Sequence, residues 1–265
     1  MLFFCAPLYV CLIGVFLTQK QFNSVVAYNI MVYIGVIDTI FMCTSGLAAV
    51  MSIYKRCFGV ITEIALYFRC LYFVALFSFS FLLALNRFFT YIKYYRIRSC
   101  HYHIFALLIW LLILVALPLS LRFHHLTETE YDFAFAMYVT DGFVAKKVIK
   151  VFEIVFYVGT VTVYITTVIL IVLKRKKFNL KIRVMSPETR ILIQAFLSFF
   201  PPLVVFTIRT IMNNFGEGAA WLLSNSYIVL GTNIMFDLLP AINMVVHVAF
   251  NSTIRTFLRK TICMQ

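Results

Sequence analysis

The stretch IFALLIWLLILVALPLSL, Ile104 to Leu121, decides the fold. It carries no charge from end to end, and the apolar side chains fall on every side of a helix instead of at alternate positions. About 17 residues suffice for a helix to cross a hydrocarbon core about 30 Å thick, whereas a barrel strand alternates apolar and polar residues over about 10. A helix apolar all round belongs in lipid or in a very large core. The same reading extends along the chain. Apolar stretches at 1–17, 25–53, 58–92, 104–121, 148–173, 191–212 and 220–250 predict an all-α membrane protein, a bundle of seven transmembrane helices over 1–250.

Composition agrees. Of 265 residues 63% are hydrophobic and 12% charged, with a mean hydropathy of +0.96. Soluble domains carry about 25% charged residues, so a soluble enzyme, a nucleic-acid-binding domain and a disordered tail are excluded. The formal charge of +13 fits nucleic acid or an anionic membrane face, and only the positions of the charges decide between them. Fifteen of the 23 Lys and Arg fall in the connections after the first, third and fifth spans and in the tail, among them Lys20, Arg87, Lys93, Lys174, Arg175, Lys176, Lys177, Arg183 and Arg255. That side is predicted to be cytoplasmic, which places the N-terminus outside, the C-terminus inside, and leaves no need for nucleic acid. Glu128, Glu130, Asp132, Asp141 and Glu217 fall on the other side. The acceptor sequence Asn251-Ser252-Thr253 is then cytoplasmic and silent. Residues 122–147 have the size and polarity of an outer lid. The basic loop 174–190 reads either as topology alone or as a contact for anionic lipid headgroups. Met1 to Pro7 holds no basic residue, so the first stretch is a span and not a signal peptide; its abrupt start leaves a missing N-terminus open.

Charges within spans cost about 2.5–3.5 kcal/mol each on insertion scales and mark candidate sites. Asp38 lies near the middle of the second span, and Asp237 lies in the seventh, one turn before Pro240 and one turn after Asn233. Two carboxylates with an amide neighbour can hold a cation or share a proton; a hydrogen-bonded packing contact is the other reading. Arg69 and Arg87, separated by about five helical turns of the third span, belong to opposite membrane faces. Arg69, Glu153 and Arg209, with Glu63 above, can converge with Tyr72, Tyr157 and Trp221 around an outward-facing pocket, or serve as interface anchors. Pro201-Pro202 falls inside the sixth span, where proline removes a helix hydrogen bond and kinks the rod.

The triplet Asn86-Arg87-Phe88 closing the third span, the prolines of the sixth, and Leu239-Pro240-Ala241-Ile242-Asn243 in the seventh resemble a rhodopsin-like G-protein-coupled receptor. Within that superfamily the chain is similar to the nematode serpentine chemoreceptors, class T or the related class X. The resemblance rests on Gly35-Val36-Ile37-Asp38, Leu83-Ala84-Leu85-Asn86-Arg87, Glu188 to Gln194 and Asn251-Ser252-Thr253-Ile254-Arg255. It implies that Arg87 faces the G protein, that Asp38 matches the aspartate of a sodium site, and that Pro240 matches the proline of the seventh-helix N-P-x-x-Y motif. It also implies a short amphipathic eighth helix at the start of the segment 251–265, a cytoplasmic tail whose Ile254, Phe257 and Leu258 form one apolar face. Three features depart from that pattern. Asn86 stands where the family usually has an acid, Asn243 replaces the tyrosine, and the usual disulfide cannot form because residues 122–147 hold no Cys.

The absences narrow the ligand. The stretch 220–250 has no Lys, so a retinal Schiff base is excluded, and Cys70 to Leu85 holds no acid for an amine. No catalytic or metal motif is found; His124-His125 is an adjacent pair in an exposed loop. The resemblance thus implies a non-enzymatic chemosensory receptor of the plasma membrane of sensory cells, with no cofactor, a small-molecule ligand and a heterotrimeric G protein as partner. Arg87 and the run Lys174 to Lys177 would couple to the G protein, and the prolines would let the sixth helix move. A transporter or ion-conducting protein, lined by Asp38, Asp237, Arg69 and Arg209, is the rival reading; a truncated, nonfunctional receptor product is a third.

Overall fold

The computed structural model describes residues 2–23, 25–92, 99–122, 129–132, 137–140, 143–177, 187–214, 226–250 and 255. Their order is α1 (Leu2–Thr18), the single turn α2 (Lys20–Asn23), α3 (Val26–Tyr54), α4 (Val60–Ile92) and α5 (Ser99–Arg122). Strands β1 (Thr129–Asp132) and β2 (Met137–Thr140) follow, then α6 (Phe143–Lys177), α7 (Pro187–Asn214) and α8 (Ser226–Phe250). The strands pair antiparallel, Thr129 opposite Thr140 and Asp132 opposite Met137, within the segment for which the sequence signalled only a polar loop.

The described protein is thus helical apart from one short hairpin. Four stretches are long and apolar enough to cross a membrane: Val26–Tyr54, Val60–Ile92, Ile149–Leu173 and Leu230–Ala249. The other three expected spans coincide with shorter apolar helical stretches, Cys5–Thr18, Cys100–Val115 and Phe196–Ile211. Exposed aliphatic faces fit this reading: Ile104, Leu107, Leu108, Leu111 and Val115 on α5, and Val151, Val155, Val158, Ile165 and Val172 on α6, are all open to the surroundings. An apolar surface that continuous is unusual on a protein bathed in water.

Helix α4 is the hub, packing against α3, α5, α6 and α7, while α1 lies on α3 and α8 bridges α7 and α3. Every residue from Leu71 to Phe79 is buried. Around it the abundant phenylalanines interlock. Phe41 stacks on Tyr72 with centroids 4.0 Å apart, and Phe236 meets Phe41 edge-on at 4.7 Å and Phe73 at 5.0 Å. Phe77 meets Phe206 edge-on at 5.2 Å, the offset and perpendicular geometries that ring quadrupoles favour.

Several small hydroxyls are satisfied within their own helices. Thr39 donates to Gly35 O, Ser78 to Val74 O, Thr160 to Phe156 O, Thr167 to Val163 O and Thr232 to Ile228 O, all at 2.6 to 2.8 Å. Such four-residue back-bonding lets a polar residue enter an apolar medium without a partner from another helix. The turn between α3 and α4 is tight: Lys55 takes a left-handed conformation, the Arg56 N–H reaches Met51 O at 3.3 Å, and Gly59 O receives the Thr62 N–H at 2.9 Å.

Close approach of α1 to α3 requires Gly35, where an added Cβ would sit 2.8 Å from Tyr9 Cε1 and 3.1 Å from Ile13 Cγ1. Tyr9 cannot swing aside, because its hydroxyl is anchored on Asp38. Gly14, within α1, meets nothing within 4 Å. Gly35→Ala is therefore expected to destabilise the bundle by about 1–3 kcal/mol through overpacking, whereas Gly14→Ala is neutral or gains up to about 1 kcal/mol of helix propensity. Thermal unfolding in detergent of both variants checks this, and equal melting temperatures would refute the tight α1–α3 contact.

Candidate functional site

The buried polar groups form three connected layers along the bundle. At its centre is Asp38 of α3, fully enclosed. Its Oδ1 accepts the Tyr72 hydroxyl of α4 at 2.8 Å, and its Oδ2 accepts the Tyr9 hydroxyl of α1 at 2.8 Å and the Asn243 amide of α8 at 3.2 Å. One carboxylate thus joins four helices. A buried acid is tolerable when its oxygens are hydrogen-bonded in this way.

Toward the α3–α4 turn lies an ionic layer. The Arg69 guanidinium of α4 reaches Asp237 Oδ1 of α8 at 2.9 Å and Ser45 Oγ of α3 at 3.1 Å; Ser45 in turn donates to the same Asp237 oxygen at 3.0 Å. Arg69 is buried, while the Asp237 side chain is about one-third open. Arg209 of α7 donates to the Asn233 amide oxygen at 3.2 Å, and its Cζ stands 3.9 Å from the centroid of the Phe236 ring. The Arg69 Cζ lies 5.5 Å from the same ring, so Phe236 packs against both guanidiniums. Glu153 of α6 lies within electrostatic range of Arg209.

Toward the opposite end, a small cavity opens between α3, α4, α6, α7 and α8. Its polar lining is Ser80, Arg87, Tyr164, Ser198, Asn243 and His247. Among the described residues, two buried side-chain oxygens lack a hydrogen-bond partner, Ser198 Oγ and Asn243 Oδ1, and both belong to this lining. Polar orphans beside a cavity are where internal water is held. Asn243 therefore faces both ways, its amide N–H on Asp38 and its oxygen among the groups that surround Arg87.

The structure brings together Arg69, Arg209, Asn233 and Asp237 as one cluster, with Glu153 nearby, and puts Tyr72 one layer deeper, on Asp38. Tyr157 has entered the aromatic core, stacked on Phe199 at 6.0 Å and tilted against Phe206 at 5.6 Å. Asp38 and Asp237, weighed in the sequence as a pair, have separate partners. Both oxygens at Asp38 already receive protein donors, Asp237 is held by a guanidinium, and no group of three His, Cys, Asp or Glu comes together among the described residues. Pro201 and Pro202 lie within α7 and Pro240 within α8, both helices running on past them. Asn86 is buried, and its side chain meets the Tyr102 hydroxyl of α5. Lys174, Arg175, Lys176 and Lys177 close α6. Trp221, Glu217, His124-His125, the loop 178–186 and all but Arg255 of the tail 251–265 lie outside the described residues.

Sequence reading missed Tyr9 and Ser45. Ser45 follows Asp38 by two turns along one helix face, a spacing that marks it as a neighbour of the same polar seam. Tyr9 gave no such signal, since a lone tyrosine in an apolar span resembles any interface aromatic. No protein-family model and no curated protein matches the chain.

The Arg69–Asp237 pair yields a direct test. Arg69→Met or Asp237→Leu alone leaves one charge without its partner and is expected to cost about 3–5 kcal/mol, whereas the double substitution recovers most of that loss. A double-mutant cycle on detergent melting curves measures it; additive losses would show that the two side chains do not act as a pair.

Proposed function

We propose that the chain is a seven-helix receptor of the rhodopsin-like class, similar to the nematode serpentine chemoreceptors. In this reading the N-terminus is outside, the α3–α4 turn faces outward and the C-terminus is cytoplasmic. A small molecule binds in the outer part of the bundle, at the layer of Arg69, Arg209, Asn233 and Asp237, and the inner end signals to a heterotrimeric G protein. Several long apolar helices and the excess of Lys and Arg in the connections assigned to the inner face support it.

One observation carries the mechanism: α7 contributes to both polar ends. Arg209 belongs to the outer layer and Ser198, about three helical turns earlier, lines the inner cavity with Arg87, with Pro201-Pro202 between them. Proline removes backbone hydrogen bonds and makes a helix easier to bend. A ligand that prefers one setting of Arg209 and Asn233 then biases the inner end of α7, because only differential affinity for two arrangements transmits anything. Arg87 and the basic segment 174–190 form the G-protein face, and the same basic residues meet anionic lipid at the plasma membrane of a sensory cell. The neutral Asn86 beside Arg87 removes the acid that would restrain it, so basal activity is expected to be high.

Sidedness is tested with epitope tags in intact cells: a tag between 123 and 128 should be labelled without permeabilisation, and one at the C-terminus only after it. Function is tested by a small-molecule panel read through second messengers. Arg87→Ala should remove at least about tenfold of the evoked signal at equal surface expression. An undiminished response would overturn the role of Arg87, and evoked current without a G protein would favour an ion-conducting protein.

A further inference from the structure

Arg87 has a cavity beside it and no acid against it. It is half-buried in α4, and among the described residues no carboxylate lies within 4.0 Å of it and no group accepts a hydrogen bond from its guanidinium. Its electrostatic neighbours are Tyr28 of α3, Tyr164 of α6 and His247 of α8, none of them a carboxylate. Of the ten Asp and Glu in the chain, only Glu188 belongs by its sequence position to this end of the bundle; it opens α7, about 15 Å along the axis from Ser198. Lys174 to Lys177 close α6 at the same end, and one-sided charge of this kind concentrates small anions. The cavity lined by Arg87 measures about 20 Å³ over the positions open to a water's centre, above the roughly 10–15 Å³ that one water needs on that measure. A water or a monatomic ion fits, and a phosphate or a ligand with an apolar body does not. The lining is rich in donors: the guanidinium carries five N–H groups, and Ser80, Tyr164 and Ser198 each add an O–H. Ser198 Oγ is sealed off without a partner. Asn243 presents an acceptor, because its N–H is engaged on Asp38. The guanidinium would repel a cation, and a water leaves its charge unanswered.

We propose that this cavity is a site for one small monovalent anion, chloride, held by the Arg87 guanidinium with the hydroxyls of Ser80, Tyr164 and Ser198. The anion supplies the countercharge that no described carboxylate provides. Hydrogen bonds to an ion are roughly twice as strong as those between neutral groups, so one chloride ties α4, α6 and α7 together at the point where Tyr164 and Phe199 meet ring to ring at 6.1 Å. Asn243 fixes where the ion sits. Its oxygen repels an anion, so the chloride lies toward Arg87 and Tyr164, and the amide keeps its bond to Asp38. In the absence of the ion the same space holds water, which serves Ser198 and Asn243 but not the charge. No signal and no G protein enters this assignment, which stands or falls apart from the receptor reading.

The test uses the full chain purified in dodecylmaltoside and exchanged into sodium gluconate, with chloride, bromide or sulfate added at constant ionic strength. Chloride and bromide should raise the melting temperature along a saturating curve, because a ligand of the folded state stabilises it by mass action. Sulfate, too large for the cavity and acting on proteins by general exclusion from their surface, should show no saturation. The chloride NMR line, broadened by the protein, should narrow when bromide displaces the bound ion. Arg87→Gln should weaken the chloride effect at least about tenfold while still melting in gluconate as one transition, which shows that it is folded. If Arg87→Gln is not monodisperse, Ser198→Ala decides: it removes one donor and should weaken chloride severalfold, and an unchanged affinity overturns the assignment. A melting temperature that does not distinguish chloride from gluconate overturns it as well and leaves the cavity to water. A halide effect that Arg87→Gln retains in full overturns it by moving the ion to the surface lysines.

Discussion

A carboxylate closed off from water must find its hydrogen bonds inside the protein, and Asp38 finds three, from three different helices. This requirement organises the bundle. Tyr9 fixes the height of α1 against α3, which is why Gly35 must be bare at the crossing. Tyr72 fixes α4, and its ring, locked by the hydroxyl, is the surface on which Phe41 stacks. Asn243 brings in α8, and with it Phe236, Asp237 and Asn233, spaced along the same helix so that they meet Arg69 and Arg209. Apolar packing alone sets no such register, because lipid tails are as apolar as the side chains they would replace.

The ionic layer adds a second constraint of a different kind. Asp38 is served by neutral donors, whereas Asp237 and Arg69 neutralise each other directly. Two charged arginines near one phenylalanine would repel across the ring if both were bare. The pairing of Arg69 with Asp237 cancels one of those charges, while Arg209 is met by an amide oxygen and a ring face. Two chemically identical side chains thus differ in how they are held, one by a carboxylate and a hydroxyl, the other by an amide oxygen and an aromatic face.

Much of this was legible in the sequence, and the remainder was hidden for identifiable reasons. Uninterrupted apolar runs revealed the helices, since a strand of a barrel would alternate apolar and polar residues. Asp38, Arg69, Arg209 and Asp237 stood out as charges within apolar stretches, where such groups are rare. Their pairing did not. Arg69 and Asp237 lie at similar depths from the starts of α4 and α8, helix ends that meet the same face; depth alone, however, does not say which faces turn toward each other. Asp38 and Asp237 seemed a pair because both are acids in the middle of spans. The structure parts them because the hub helix α4 offers Tyr72 to one and Arg69 to the other, one turn apart on one face. The hairpin of β1 and β2 escaped notice because its strands are four residues each, too short for alternation to show.

The long sequence separation within the ionic layer has a consequence for how the protein is made. Tyr9, Asp38 and Tyr72 lie within one early stretch of chain, so the central carboxylate can receive two of its three donors while later helices are still being synthesised. Arg69 must wait for Asp237, 168 residues downstream. Until α8 is made, the guanidinium lacks this carboxylate. A chain that ended before α8 would keep the Tyr9 and Tyr72 bonds to Asp38 but lose Asn243 and the carboxylate that meets Arg69.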